Sequence, residues 1–140
     1  LLSWRDFDAF EAALGTLAPL KAEERLRLGK LYHGRGFSES AAEELLAGIR
    51  DCGPYDDEAL FILGSIGRYK CMLADADVFL ESAILANPSR ESISSALAAV
   101  LTRQRKYSRA REVLQAGLLR LPHSHLLETS AKGIEVALSL

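Results

Sequence analysis

No stretch of this chain runs to the ~18–20 apolar residues that a membrane-crossing helix needs, so no such span is expected. Cysteine is scarce: Cys52 and Cys71 alone among 140 residues do not make a disulfide framework, and such sparse usage fits a reducing compartment. Both are read as small buried apolar residues. A dominant charge is missing as well. Seventeen Lys and Arg stand against nineteen Asp and Glu, a net charge of −2, so nothing global favours nucleic acid. There is no glycine-rich phosphate loop after a strand and no G-x-S-x-G nucleophile elbow. His123 and His125 stand two apart near Glu128, but side chains at that spacing diverge on a helix. The chain is therefore read as non-enzymatic, with no cofactor or metal. It does not begin with methionine, Met72 is its only one, and Leu1-Leu2-Ser3-Trp4-Arg5-Asp6 turns charged at once, unlike a signal peptide. The expectation is an excised or processed piece of a cytoplasmic protein.

What is present is a repeat. Apolar residues make up 49% and charged residues 26%, the composition of a folded domain, and the length suits a single one. Displaced by 34 residues, Gly64 meets Ala98, Ala76 meets Ala110, Leu80 meets Leu114, Ala83 meets Gly117 and Pro88 meets Pro122. Displaced by 35 in the other direction, the series returns as Gly29, Ala41, Leu45 and Gly48. A fixed period of this size marks a solenoid, whose units bury their apolar faces against their neighbours. Gly29, Gly64 and Ala98 are small where the first helix of a pair must let the second come close. Ala41, Ala76 and Ala110 are the reciprocal small residues, with Leu45, Leu80 and Leu114 one turn further on the same face. Pro88 and Pro122 end second helices, and Gly53-Pro54 does so in the first unit.

These residues carry a resemblance to a known family. Leu28-Gly29 followed by Tyr32, Leu63-Gly64, and Leu97-Ala98 followed by Leu101, each with the downstream Ala, Leu, Ala/Gly and Pro series, resemble the tetratricopeptide repeat. Gly67, where the other units carry Tyr32 and Leu101, departs from the pattern. The resemblance covers about residues 22–122. It implies an all-α, right-handed superhelical solenoid of about three helix-turn-helix repeats: 22–54, 55–88 and 89–122. Residues 1–20 form an N-terminal capping helix or a degenerate half-repeat, and 123–140 a C-terminal capping helix.

In chain order, Trp4, Phe7, Phe10, Leu14 and Leu17 predict an amphipathic helix over 3–17. Helices follow over 22–34, from Ser38 as cap to about Cys52, over 55–68 and over 73–86, where Asp75, Asp77 and Glu81 are read as a solvated face. Ser89 opens the third pair, and a last helix spans 124–138. Its apolar end suggests a truncation or a covered interface, to a second copy or to further chain. The cations Arg103, Arg105, Lys106, Arg109 and Arg111 are either a grip for phosphates or an acidic partner, or a solvated turn.

The resemblance also implies a mode of action. In tetratricopeptide proteins the first helices line a concave side that binds partner peptides or helices. Helical spacing places Leu26, Lys30 and His33 there in repeat one, and Glu58, Phe61, Ser65 and Arg68 in repeat two. Ser92, Ser95, Ala99 and Thr102 follow in repeat three, and Thr129, Gly133 and Val136 on the last helix. Phe61 and Leu26 would be apolar anchors, with Lys30, Arg68 and His33 as a cationic rim. Members that clamp a chaperone's terminal carboxylate carry a Lys-Asn-Asn-Lys-Arg set; here Leu26, Ser65, Ser95 and Ala99 hold inner slots and no first helix has Asn, which argues against a clamp. The function implied is a protein-interaction scaffold or adaptor. The alternatives are a dedicated chaperone, since the plan is similar to type III secretion chaperones, and a regulatory domain of a larger enzyme.

Overall fold

The structure, a computed structural model, describes residues 20–53 and 55–140, and seven helices lie among them. They are α1 (Ala22–Gly34), α2 (Ser38–Cys52), α3 (Asp57–Tyr69), α4 (Leu73–Ala86), α5 (Glu91–Arg103), α6 (Tyr107–Arg120) and α7 (His125–Ser139). No strand occurs among the described residues. The helix expected over 3–17 lies outside them.

Helices pack in sequential pairs, α1 on α2, α3 on α4 and α5 on α6, and α7 closes against α5 and α6. The small-residue series explains the closeness. A methyl group on Gly29 would stand 2.6 Å from Leu45 Cγ, and one on Gly64 2.6 Å from Leu80 Cγ. Ala98 takes the third slot, buried, while Ala41, Ala76, Ala110 and their partner leucines have no exposed surface. Gly67, the departure from the repeat, faces Ala76, whose Cβ would lie 3.2 Å from an added methyl. The core forms two clusters, one around Leu26, Leu45 and Leu63 and one around Leu80, Leu97, Leu114 and Leu127; Ile49 and Phe79 pack against both.

Neighbouring pairs touch unequally. Along the first helices, α1 contacts α3, α3 contacts α5 and α5 contacts α7, whereas the backbones of α2 and α4, or α4 and α6, do not approach each other. A stack closer on one side than the other bends, so the first helices form the inner face.

The turns repeat as faithfully as the helices. Gly36, Cys71 and Arg105, spaced 35 and 34 apart, all take left-handed φ values of 84°, 60° and 61°. The next residue in each case donates its backbone N–H to the carbonyl five residues back: Phe37 to Tyr32 at 2.9 Å, Met72 to Gly67 at 2.7 Å and Lys106 to Leu101 at 2.8 Å. This is a Schellman termination, and in the first unit the edge-to-face pair of Tyr32 and Phe37 supplies its apolar contact. It corrects one expectation. Phe37, not Ser38, is the cap of α2, because the chain passes straight from the Schellman turn into the next helix. Between pairs, links recur with the same period. Asp57 accepts from Arg90 at 3.0 Å and from Asn87 at 3.2 Å, and one repeat later Glu91 accepts from Ser124. Asp56 caps α3 by accepting the N–H of Ala59 at 3.0 Å, which starts that helix at Asp57 rather than at residue 55.

Two further expectations are corrected. Asp77 is buried rather than solvated, because it lies beneath α6, with Arg109 Nη1 at 3.3 Å and Lys106 Nζ at 3.7 Å from Oδ2. Cys52 and Cys71 are exposed free thiols rather than core residues, since one ends α2 and the other occupies a turn.

Candidate functional site

The inner face of α1, α3, α5 and α7 divides into two halves of different chemistry. At the α1 end its charges are satisfied internally. Lys30 Nζ lies 2.8 Å from Asp56 and 3.5 Å from Glu58. Burial pulls the Lys30 ammonium down, but the hydrogen bonds and charges of Asp56 and Glu58 outweigh it and hold its pKa above the ordinary lysine value. Phe61 is half-buried against the core, with the Arg90 guanidinium 5.6 Å from its ring centroid. Burial pushes the Asp57 carboxyl up, yet hydrogen bonds from Arg90 and Asn87 and the Arg90 charge outweigh it and set its pKa below the usual 3.8. The Ser65 hydroxyl donates to the Phe61 carbonyl at 2.9 Å and so is turned onto its own helix. His33 and Glu58 are exposed.

Leu26 is a correction. It is buried, because its side chain fills the space over Gly48, where an added methyl would meet Leu26 Cγ at 2.7 Å. It is a core residue and offers no anchor to a partner.

The other half holds a cavity of about 390 Å³ between α3, α5 and α7. Five residues named from the sequence, Arg68, Ser95, Ala99, Thr102 and Gly133, line it. Ser95 and Ser130 share a hydrogen bond of 3.2 Å across α5 and α7, and Thr102 donates its hydroxyl to the Ala98 carbonyl at 2.7 Å. Arg103 stands at the rim, its Nη1 donating to the Arg68 carbonyl at 3.2 Å and its Nη2 to Cys71 Sγ at 3.3 Å. Ser92 is half-buried, and Thr129 and Val136 are exposed; none of the three lines the cavity.

Sequence reasoning did not assign Arg103, Ser130 or Ile134 to this face. The expected stripe on α7 was only partly right: of Thr129, Gly133 and Val136 only Gly133 lines the cavity, and Ser130 and Ile134 complete the i, i+3, i+4 set of that helical face. Arg103 was placed with the basic segment. That segment is largely engaged within the fold, since Lys106 and Arg109 pair with Asp77, Arg109 also with Glu81, and Arg111 holds Glu135 through Nε at 2.7 Å and Nη2 at 3.0 Å.

No protein-family model matches the chain, and no curated protein matches it. Solved structures do. The first TPR of Spaghetti (RPAP3), bound to the HSP90 peptide SRMEEVD, is 20% identical with a TM-score of 0.72 over 86% of this chain and 97% of that one. MamA is 23% identical with a TM-score of 0.79 over 97% of this chain and 77% of that one. The Arabidopsis OM64 TPR domain is 12% identical with a TM-score of 0.68 over 81% and 93%. The fold is the tetratricopeptide solenoid. No helix among the described residues is long and apolar enough to cross a membrane.

Proposed function

We infer, taking the tetratricopeptide solenoid as the premise, that this chain is a protein-interaction module whose inner face receives an extended or helical segment of a partner protein. The observation that carries this reading is the cavity between α3, α5 and α7, where Arg68, Ser95, Ala99 and Thr102 converge from two helices around a floor of small residues. A groove with small residues at its base lets a backbone approach closely, and a few hydroxyls and cations then orient it. A solenoid of similar fold holds a peptide, which favours the same use here. Scaffold, dedicated chaperone and regulatory domain differ in what that segment belongs to, and all three use this face. The test is selection of random peptides on the immobilised protein, followed by calorimetry of the recovered sequences. Ala99→Phe fills the groove and is expected to weaken binding about tenfold or more, against no change for Val113→Phe on α6. Peptides insensitive to Ala99→Phe but lost with Val113→Phe would move the site to the outer helices.

A further inference from the structure

We propose that the cavity between α3, α5 and α7 receives the carboxylate side chain of an aspartate or glutamate in the bound partner segment, held by Arg68 and Arg103. This rests on the groove reading above and adds the chemistry of the partner.

The lining holds two guanidiniums and no carboxylate. Other cations near this face and beyond it are already met: Lys30 by Asp56 and Glu58, Arg90 by Asp57, Arg111 by Glu135. The exposed Arg68 side chain has no ion pair or hydrogen bond among the described residues. Arg103 is different, because the Arg68 carbonyl and Cys71 Sγ fix two of its nitrogens. A guanidinium carries five N–H donors, so an anchored Arg103 still has donors to give, at little ordering cost.

The hydroxyls add to this surplus. Ser95 and Ser130 share one hydrogen bond, which uses one of their two protons and leaves one O–H to donate. Thr102 has already given its proton to the Ala98 carbonyl. Donors therefore outnumber acceptors, and the complementary ligand is an acceptor with negative charge. Ile134, Ala98 and Ala99 supply an apolar wall beside these donors. That combination suits a carboxylate on a short methylene stem, which a guanidinium can bind in bidentate fashion. A space of about 390 Å³ accommodates such a side chain with room for water.

The experiment uses three pools of blocked heptapeptides with degenerate flanks and a fixed central residue: Glu, Gln or phosphoserine. Each pool is passed over the immobilised chain, and retention is read by mass spectrometry. Glu is expected to be retained about tenfold better than Gln, the effect of a charge-assisted hydrogen bond, and the advantage should shrink as salt rises. Arg68→Gln, an exposed substitution whose helicity is checked by circular dichroism, should abolish that preference, and Arg103→Lys should keep part of it. Equal retention of Glu and Gln overturns the carboxylate site; if Ala99→Phe then removes both pools, the groove reading survives on its own. Preference for phosphoserine over Glu overturns the choice of ligand. A Glu advantage indifferent to Arg68→Gln and Arg103→Lys places the carboxylate elsewhere and also overturns the proposal. Retention of no pool counts against both readings.

Discussion

Gly64 lies directly beneath Leu80: a methyl group added to the glycine would sit 2.6 Å from Leu80 Cγ, and Leu80 is fully buried with nowhere to retreat. Alanine is the better helix former by about 1 kcal/mol, so intrinsic propensity and packing oppose each other at this position. Packing should win. Gly64→Ala is expected to destabilise the domain by about 1–3 kcal/mol through overpacking, and Ala76→Leu likewise. Gly133 is the control, because an added methyl there meets nothing within 4 Å. Gly133→Ala should stabilise by about 0.5–1 kcal/mol. Urea midpoints of the variants check the set; a neutral Gly64→Ala would mean that α3 and α4 are less tightly apposed than they stand here.

The three left-handed turn residues are not equally suited to their task. Gly36 adopts φ 84° without a steric penalty, whereas Cys71 and Arg105 carry side chains at 60° and 61°. A left-handed L-residue costs about 1–2 kcal/mol, part of which glycine gives back through the entropy of the unfolded chain. Arg105→Gly is therefore expected to raise stability by about 0.5–1 kcal/mol, and Gly36→Ala to lower it by about 1 kcal/mol. Thermal unfolding of both variants decides the matter, and the same sign for the two would refute it.

Acid and alkali should act on different pairs. The Asp57 pKa is depressed in the folded state, so its stabilisation is complete above the ordinary value of 3.8 and is lost as pH falls through the folded value. Asp57→Asn should remove that part of the acid limb while leaving the alkaline limb alone. The Lys30 pKa is raised, so its contribution is complete below the ordinary value of 10.5 and is lost as pH rises through the folded value. Lys30→Met should flatten the alkaline limb only. Denaturant midpoints recorded across pH for the two variants test the assignment, and crossed effects would contradict it.

How much of this was legible in the sequence follows from what sets each feature. Gly29, Gly64 and Ala98 are small because helices in a pair nearly touch. A steric demand that repeats in space repeats in the sequence, so the pairs could be read directly, while the starts of α2 and α3 were set by turn and cap geometry that spacing does not report. The inner face was half legible. Spacing within α5 gave Ser95, Ala99 and Thr102, but Leu26 obeys the same spacing and is buried, because periodicity names a face and not its depth. Arg103 was out of reach, since its place at the cavity depends on a bond to the Arg68 carbonyl, a backbone group that no composition reports. Asp77 was read as solvated for a related reason. An acidic residue on α4 gives no sign that Lys106 and Arg109 arrive from the next repeat to cover it.

The uneven contact between repeats has a mechanical consequence. The inner helices stand closer and carry a charged link, Lys30 to Asp56 and Glu58, while α4 and α6 are joined by several long charged side chains: Asp77 to Lys106 and Arg109, and Glu81 to Arg109. Dispersion forces ignore dissolved ions, but partly exposed ion pairs do not. Raising the salt concentration should thus slacken the convex side between α4 and α6 more than the concave side between α3 and α5, letting α4 and α6 spread and the arc tighten. We expect Asp77→Asn to mimic this at low salt, and spin labels on α4 and α6 would report the separation directly; an unchanged distance in both conditions would remove the idea. In such a molecule the ionic medium tunes curvature, and with it the width of the channel offered to a partner, while the hydrophobic core stays as it is.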